Sequence, residues 1–202
     1  MESIKIEGNV RTALGKRASR DTRTNGEIPC VIYGGTEVQH FSAPSLAFRS
    51  LVYTPDFKVA EIQLENKTFK AIVKEIQFNP LNDKITHIDF LELTPGKRIK
   101  AEIPVNVQGS SIGVKKGGKL VANLRKVKIK TLVENLVNEV TVDITELDLG
   151  KSIRVRDIKI VEGVEILNSP STPLATIEIP RALRAQQAEE AKAAAAPKKG
   201  KK

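Results

Sequence analysis

The 202-residue sequence predicts a mainly β protein of two β-rich domains. Three observations predict it. Apolar and polar residues alternate with period two through most of the chain. Helical signal is sparse. A breaker-rich segment, Thr94-Pro95-Gly96-Lys97-Arg98, separates two strand patterns and coincides with a change in charge. Residues 1–95 carry 12 basic and 12 acidic residues, residues 96–180 carry 14 and 10, and residues 181–202 carry 7 and 2. The expected organisation is therefore a first domain over 1–95, a second over 96–180 and an Ala/Lys-rich tail over 181–202. Each domain is large enough for a modest core of its own.

Residues 9–35, NVRTALGKRASRDTRTNGEIPCVIYGG, read as an exposed basic loop followed by an apolar strand ending at Tyr33. Gly15, Ser19, Asn25 and Gly26 favour the loop over a regular strand. Cys30 falls in the apolar run and reads as a small core residue. APSLAFRSLVY (43–53) predicts one short helix with Ser45 as its cap. KVAEIQLENKTFKAIVKEIQF reads as a hairpin with Asn66-Lys67 at its turn, and DKITHIDFLEL as a further strand after the Asn79-Pro80 break. In the second domain, IKAEIPVNV (99–107) puts Ile99, Ala101, Ile103, Val105 and Val107 on one face, and Pro104 predicts an edge or bulge position. EVTVDITEL (139–147) turns Val140, Val142 and Ile144 inward, and SIRVRDIKI and LATIEIP alternate likewise. RALRAQQAEEAKAAAA (181–196) favours helix but has almost no apolar face, so the tail reads as partly helical or disordered.

The overall charge of +9 favours polyanionic partners. The first domain is charge-balanced and needs a local patch to bind one. Arg11, Lys16, Arg17, Arg20 and Arg23 supply one, interrupted by Asp21, with Ser19 among them. They fit phosphate and sugar contacts or a solvated charged loop beside a core tyrosine. Tyr33 precedes Gly34-Gly35, where backbone can approach a ligand closely. Alternation places His87 and Asp89 together on the face opposite Ile88 and Phe90, as hydrogen-bonding readers or as a catalytic pair; Lys74 and Gln77 extend that surface from the neighbouring strand. The catalytic option lacks a nucleophile, and with only two histidines no cluster has metal-ligand spacing. No enzymatic activity, cofactor or metal is expected.

Gly113–Lys119 matches the opening of a phosphate-binding loop, but Leu120 stands where magnesium needs a hydroxyl, and a strand pattern follows instead of a helix. A flexible glycine loop is the expectation there. Lys115, Lys116, Lys119, Lys126, Lys128 and Lys130 form an acid-free run with Arg125. Lys126, Lys128 and Lys130 share one strand face, a self-repelling row that calls for an anionic neighbour or marks a lysine-guarded edge. One cysteine permits no internal disulfide and suits a reducing compartment. Neither a signal peptide nor a membrane span is expected.

Gly15-Lys16, Ala18-Ser19-Arg20, Ile28-Pro29 through Tyr33-Gly34-Gly35, VKEIQFNP, ITHIDF, GVKKGGKL and VTVDITELDLGKSIRVRDI occur in that order between about residues 10 and 180. Together they resemble the bacterial large-subunit ribosomal protein that binds 5S rRNA, large-subunit protein twenty-five, whose long two-domain members are also called general stress protein Ctc. The resemblance implies a small β-barrel for the first domain and binding to the loop E region of 5S rRNA. It places Arg11, Lys16, Ser19, Arg20 and Arg23 on a phosphate- and sugar-contacting loop, and Tyr33, Lys74, His87 and Asp89 on the barrel face. Apart from the resemblance, the acid-free run makes the six lysines a candidate secondary basic surface, and the second domain is expected to reach further rRNA or neighbouring large-subunit proteins. Cytoplasmic location on the ribosome, and a monomer away from it, are implied as well. Asp21 departs from a usual arginine and Phe78-Asn79-Pro80 from a common Arg-His-Pro, both at the expense of positive charge. The rival function is a β-rich protein-interaction or stress-adaptor module without specific RNA binding.

Overall fold

In the computed structural model, which describes residues 2–65, 67–159 and 163–180, the alternation of the N-terminal half closes on itself. In chain order the elements there are β1 (Ser3–Val10), α1 (Lys16–Thr24), β2 (Glu27–Tyr33), β3 (Gln39–Pro44), a 3-10 turn (Ser45–Phe48), α2 (Arg49–Val52), β4 (Val59–Leu64), β5 (Lys67–Phe78) and β6 (Ile85–Glu92). The six strands form a closed barrel in the order β1-β3-β2-β6-β5-β4. Parallel pairing of β1 with β4, from Ser3 opposite Val59 to Gly8 opposite Leu64, closes it. Closure leaves no unpaired sheet edge in the barrel.

Every second residue of these strands points inward. Ile6, Ile32, Phe41, Ile62, Ile88 and Phe90 are buried. The Phe90 ring centroid lies 5.8 Å from that of Phe41 and 6.1 Å from that of Phe48, both tilted. Gly8 is required by this packing, because a Cβ there would sit 2.7 Å from the Phe41 ring. Cys30 is part of the same core, and burial pushes its thiol well above the ordinary range, so it packs as an apolar group.

Three local expectations are corrected. The basic loop is in fact the nine-residue helix α1. It buries no residue, so it has none of the apolar stripe by which helices are read from sequence. Arginine and alanine favour helix, and the glycines lie outside it: Gly15 before its first turn at φ 104° and Gly26 beyond its end at φ 81°. The helix expected over 43–53 forms as the 3-10 turn plus α2, without a cap bond from Ser45. The hairpin turn falls one residue early, since Leu64 pairs with Lys67 and Glu65 takes φ 50°. Asn66 itself lies outside the described residues.

The described residues fall into two units, one within 1–104, 127–139 and 160–167, the other within 105–126, 140–159 and 168–202. Beyond the barrel the elements are β7 (Arg98–Gln108), α3 (Ile112–Lys115), β8 (Lys119–Ala122), β9 (Lys126–Leu132), β10 (Val140–Asp143), β11 (Ser152–Arg154), β12 (Val164–Ile166) and β13 (Pro173–Glu178). In the first unit β9 pairs antiparallel with β12. In the second, β10 runs parallel to the end of β7, and β11-β13-β8 form a three-stranded sheet. Val142, Ile144, Leu174 and Ile177 supply buried positions there. β7 is not an edge strand; it has β9 and β10 as neighbours. Its pairing with β10 begins at Val105, one residue past Pro104, so the missing proline N–H falls outside that ladder.

The glycine segment is not a flexible loop. Ser111 caps α3 by accepting from the Val114 N–H at 3.1 Å. A Cβ on Gly118 would meet Ile177 at 2.5 Å, and one on Gly113 would meet backbone of Asp148 at 2.8 Å. These glycines allow tight packing. β8 follows, so no helix is placed to receive a phosphate. The expected tail, 181–202, lies outside the described residues.

Phe90→Ala should destabilise the barrel by about 3–5 kcal/mol through lost burial and a residual cavity. Phe78→Ala, on an exposed side chain of β5, should change stability by about 0.5 kcal/mol or less. Urea denaturation followed by circular dichroism separates the two.

Candidate nucleic-acid interface

β6 is central to the candidate face. Its alternation sends Ile88 and Phe90 into the core and leaves His87 and Asp89 on the outside, their side chains 30% and 28% exposed. The two are bonded to each other, His87 Nδ1 to Asp89 Oδ1 at 2.7 Å. With Nδ1 committed to the carboxylate, Nε2 is the ring atom left for an outside partner. Gln77 of β5 stands opposite His87, and Glu75 opposite Asp89. On the other side, β2 pairs Val31 with Asp89 and Tyr33 with Leu91. Three adjoining strands thus present Gln77, Glu75, His87, Asp89 and Tyr33 on one outer face. Burial first, then the charges of Asp89 and Glu75, push the Tyr33 phenol above its ordinary range and keep it a neutral donor.

α1 brings the cations. Lys16, Ser19, Arg20 and Arg23 stand at i, i+3, i+4 and i+7, so they form one stripe along the helix. Arg17 and Asp21 fall off that stripe, so the acid does not interrupt the cations as it does in the linear sequence. Arg23 Nη1 donates to the Thr86 carbonyl at 3.2 Å, which ties the end of α1 to β6 one residue from His87. Arg11 Nη2 donates to the Ser19 hydroxyl at 3.3 Å, and the Arg11 N–H to the His40 carbonyl at 2.8 Å. Arg11, Ser19, Arg23 and the His87–Asp89 pair are therefore linked around α1 and the strands beneath it.

Lys74 is placed differently. It sits at a register shift between Val73 and Glu75, and its ammonium donates to the Lys100 carbonyl at 3.2 Å. It borders the row of Gln77 and His87 without joining it.

The six lysines of the second set are not gathered into one surface of one unit. Lys115, Lys116, Lys119 and Lys126 lie in the second unit, Lys128 and Lys130 in the first. On β9 the lysine row forms as expected, opposite the buried Val127 and Ile129. Carboxylates flank it: Lys128 lies 3.7 Å from Glu102 and Lys130 3.7 Å from Glu165. These long exposed pairs relieve the like-charge repulsion without contributing much stability. Lys116 donates to both oxygens of Asp148, at 2.9 and 3.1 Å.

The helix itself and the Thr86 carbonyl are what sequence reasoning missed. The i, i+3, i+4, i+7 spacing of Lys16, Ser19, Arg20 and Arg23 is the signal that carries the helix, read in polar instead of apolar residues.

Among the described residues no three His, Cys, Asp or Glu side chains cluster as metal ligands. The Ribosomal L25p family pattern matches residues 6–90, and the pattern of the C-terminal domain of ribosomal protein TL5 matches residues 98–181. The class is thereby defined: a structural, non-enzymatic ribosomal protein. Among relatives, the large ribosomal subunit protein bL25 of Cytophaga hutchinsonii is 41% identical over 95% of this chain and 100% of its own. The proteins of that name from Phocaeicola vulgatus and Bacteroides fragilis are 40% and 39% identical, over 91% of this chain and 96% of theirs. The chain belongs to the bL25 family of bacterial large-subunit ribosomal proteins, in its long form, and is a ribosomal protein of the cytoplasm.

The Lys116 hydrogen bond, followed by that of the Leu149 N–H, holds Asp148 below the usual carboxylate range. A depressed folded value means the pair stabilises above the unfolded value of about 4 and is lost as pH falls through the folded one. Lys116→Met should raise the Asp148 titration midpoint toward the ordinary value, read by carboxyl-carbon NMR.

Proposed function

We propose that this chain binds 5S rRNA at its internal loop E region, through the outer face of β2, β5 and β6 together with the cation stripe of α1. The observation that carries this reading is the hydrogen bond from Arg23 to the Thr86 carbonyl, because it fixes a row of cations beside the His87–Asp89 pair. Double-stranded RNA offers a wide, shallow minor groove bordered by phosphates and lined with 2′-hydroxyls and base edges. Cations suit its rims, and neutral donors and acceptors suit its floor.

The roles divide on that basis. Lys16, Arg20 and Arg23 neutralise phosphates. Arg11 and Ser19, already bonded to each other, address phosphate or ribose at the start of the helix. His87 offers Nε2, and the second oxygen of Asp89 accepts from a base amino group or a 2′-hydroxyl. Tyr33 and Gln77 add a neutral donor and an amide at either side. Glu75 stands opposite Asp89 and repels a phosphate there, so this part of the face addresses base edges and not backbone. Lys74 contributes at the margin. Residues 1–95 are the rRNA-binding part in this reading; residues 96–180, with Lys115, Lys119 and Lys126 among their cations, reach further rRNA or a neighbouring large-subunit protein.

Arg20→Ala should weaken binding to isolated 5S rRNA and lower the slope of log K against log salt by about 0.7–0.9, the value for one lost phosphate contact. His87→Ala should weaken binding with little change of slope. Filter binding over a range of salt reads both. If the double variant keeps the affinity and slope of the parent, these residues do not form the site.

A further inference from the structure

Beside the face described above lies a groove of about 630 Å³, within the roughly 300–1,000 Å³ of small-ligand sites. It is lined by Arg20 and Arg23 of α1, Arg49 of α2, Lys84 from the turn before β6, and the side chains of Leu46 and Tyr53. Four cations from three separate parts of the chain converge here. None of them has a carboxylate within ion-pair distance among the described residues, although Glu27 also lines the groove. Arg23 is held in place by its bond to the Thr86 carbonyl, so its charge is fixed at the groove wall. Leu46 and Tyr53 are 78% and 64% exposed, large apolar surfaces left to water next to those charges.

Unpaired cations converging on one groove favour an anion. A free phosphate satisfies the cations and leaves Tyr53 unused. An acidic peptide satisfies the cations and gives no flat partner to the tyrosine ring. A nucleotide does both, with its phosphates among the cations and its base against the phenol. Arg20 and Arg23 belong both to this groove and to the stripe on α1, so a phosphate backbone following the stripe is led into the groove.

We infer that the groove bounded by Arg20, Arg23, Arg49, Lys84, Leu46 and Tyr53 holds a single unpaired nucleotide of the bound RNA, its base stacked on Tyr53 and its phosphates between Arg49 and Lys84. The inference rests on the rRNA-binding reading of the neighbouring face and extends it to residues that reading does not use. The scarcity of aromatic side chains fits one stacked base and not a run of them.

The full-length protein labelled with 3-fluorotyrosine carries two fluorine reporters, Tyr33 on the sheet face and Tyr53 in the groove, assigned by Tyr53→Phe. Single-stranded pentaadenylate should shift the Tyr53 signal saturably and leave Tyr33 unmoved. An abasic phosphodiester chain of the same length should shift it far less. Arg49→Gln with Lys84→Gln should weaken the response about tenfold or more, since two charge contacts are lost. With 5S rRNA both signals should move, and Tyr53→Ala should cost about 5- to 150-fold in affinity. If 5S rRNA moves Tyr33 but not Tyr53, the groove assignment fails and the rRNA reading stands; if it moves neither, both fail. An abasic chain as effective as pentaadenylate, or an acidic peptide that shifts Tyr53 where pentaadenylate does not, overturns the nucleotide assignment.

Discussion

Ile88 and Phe90 are sealed in the barrel interior, with the Phe90 ring packed near those of both Phe41 and Phe48. A strand that buries those two side chains has no choice about His87 and Asp89, because successive residues of a strand point to opposite faces. A slip of one residue would put the histidine and the carboxylate into an apolar core at a cost of several kcal/mol. The register of β6 is held on both sides, by β2 and by β5, so the outward row of Gln77, Glu75, His87, Asp89 and Tyr33 is a direct consequence of core packing. The chemistry of the face and the stability of the barrel are set by the same alternation.

Onto this rigid face the chain adds a helix that buries nothing. α1 does not belong to the core, yet it is anchored to the strands through Arg23 and, by way of Ser19, through Arg11. The consequence is a charge distribution that the composition conceals. The barrel segment is neutral in sum, but helical geometry collects Lys16, Arg20 and Arg23 on one stripe and moves Asp21 away from it. A stripe of cations next to a face of hydrogen-bonding groups, the Asp89 and Glu75 carboxylates among them, suits a partner that has phosphates at its rim and base edges at its centre. The lysines of β9 show the opposite arrangement. Glu102 flanks Lys128 and Glu165 flanks Lys130, so part of their charge is answered within the protein.

Strand positions and the residues they bury were legible in the sequence wherever one face meets the core: Ile88 and Phe90, Val140 and Val142, Val127 and Ile129 all lie where alternation puts them. The pairing of His87 with Asp89 followed from the same rule, though their mutual hydrogen bond did not. Barrel closure was not visible in any single strand, because the parallel seam between β1 and β4 joins positions 56 residues apart, as Ser3 with Val59. α1 was missed because periodicity was sought in apolar residues, and this helix has none to bury. Pro104 does not make β7 an edge strand, because a proline disqualifies only its own N–H and the β10 ladder starts one residue later. Gly113 and Gly118 looked like a loop because sequence cannot distinguish a glycine kept for flexibility from one kept for the approach of Ile177. The groove cations Arg49 and Lys84 are far apart in sequence and carry no local motif; only the fold brings them to Arg20 and Arg23.

The central claim is that one side of the barrel, and not its whole circumference, meets the RNA. Cys30 is buried and inert, so a cysteine introduced at the surface can be labelled selectively with an iron chelate for directed hydroxyl-radical probing. Tethered at Lys16→Cys on α1, the chelate should cut 5S rRNA in one short region. Tethered at Glu61→Cys on β4, which has β1 and β5 as neighbours, it should leave that region uncut. The same cuts from both tethers, or none from the first, would contradict the account.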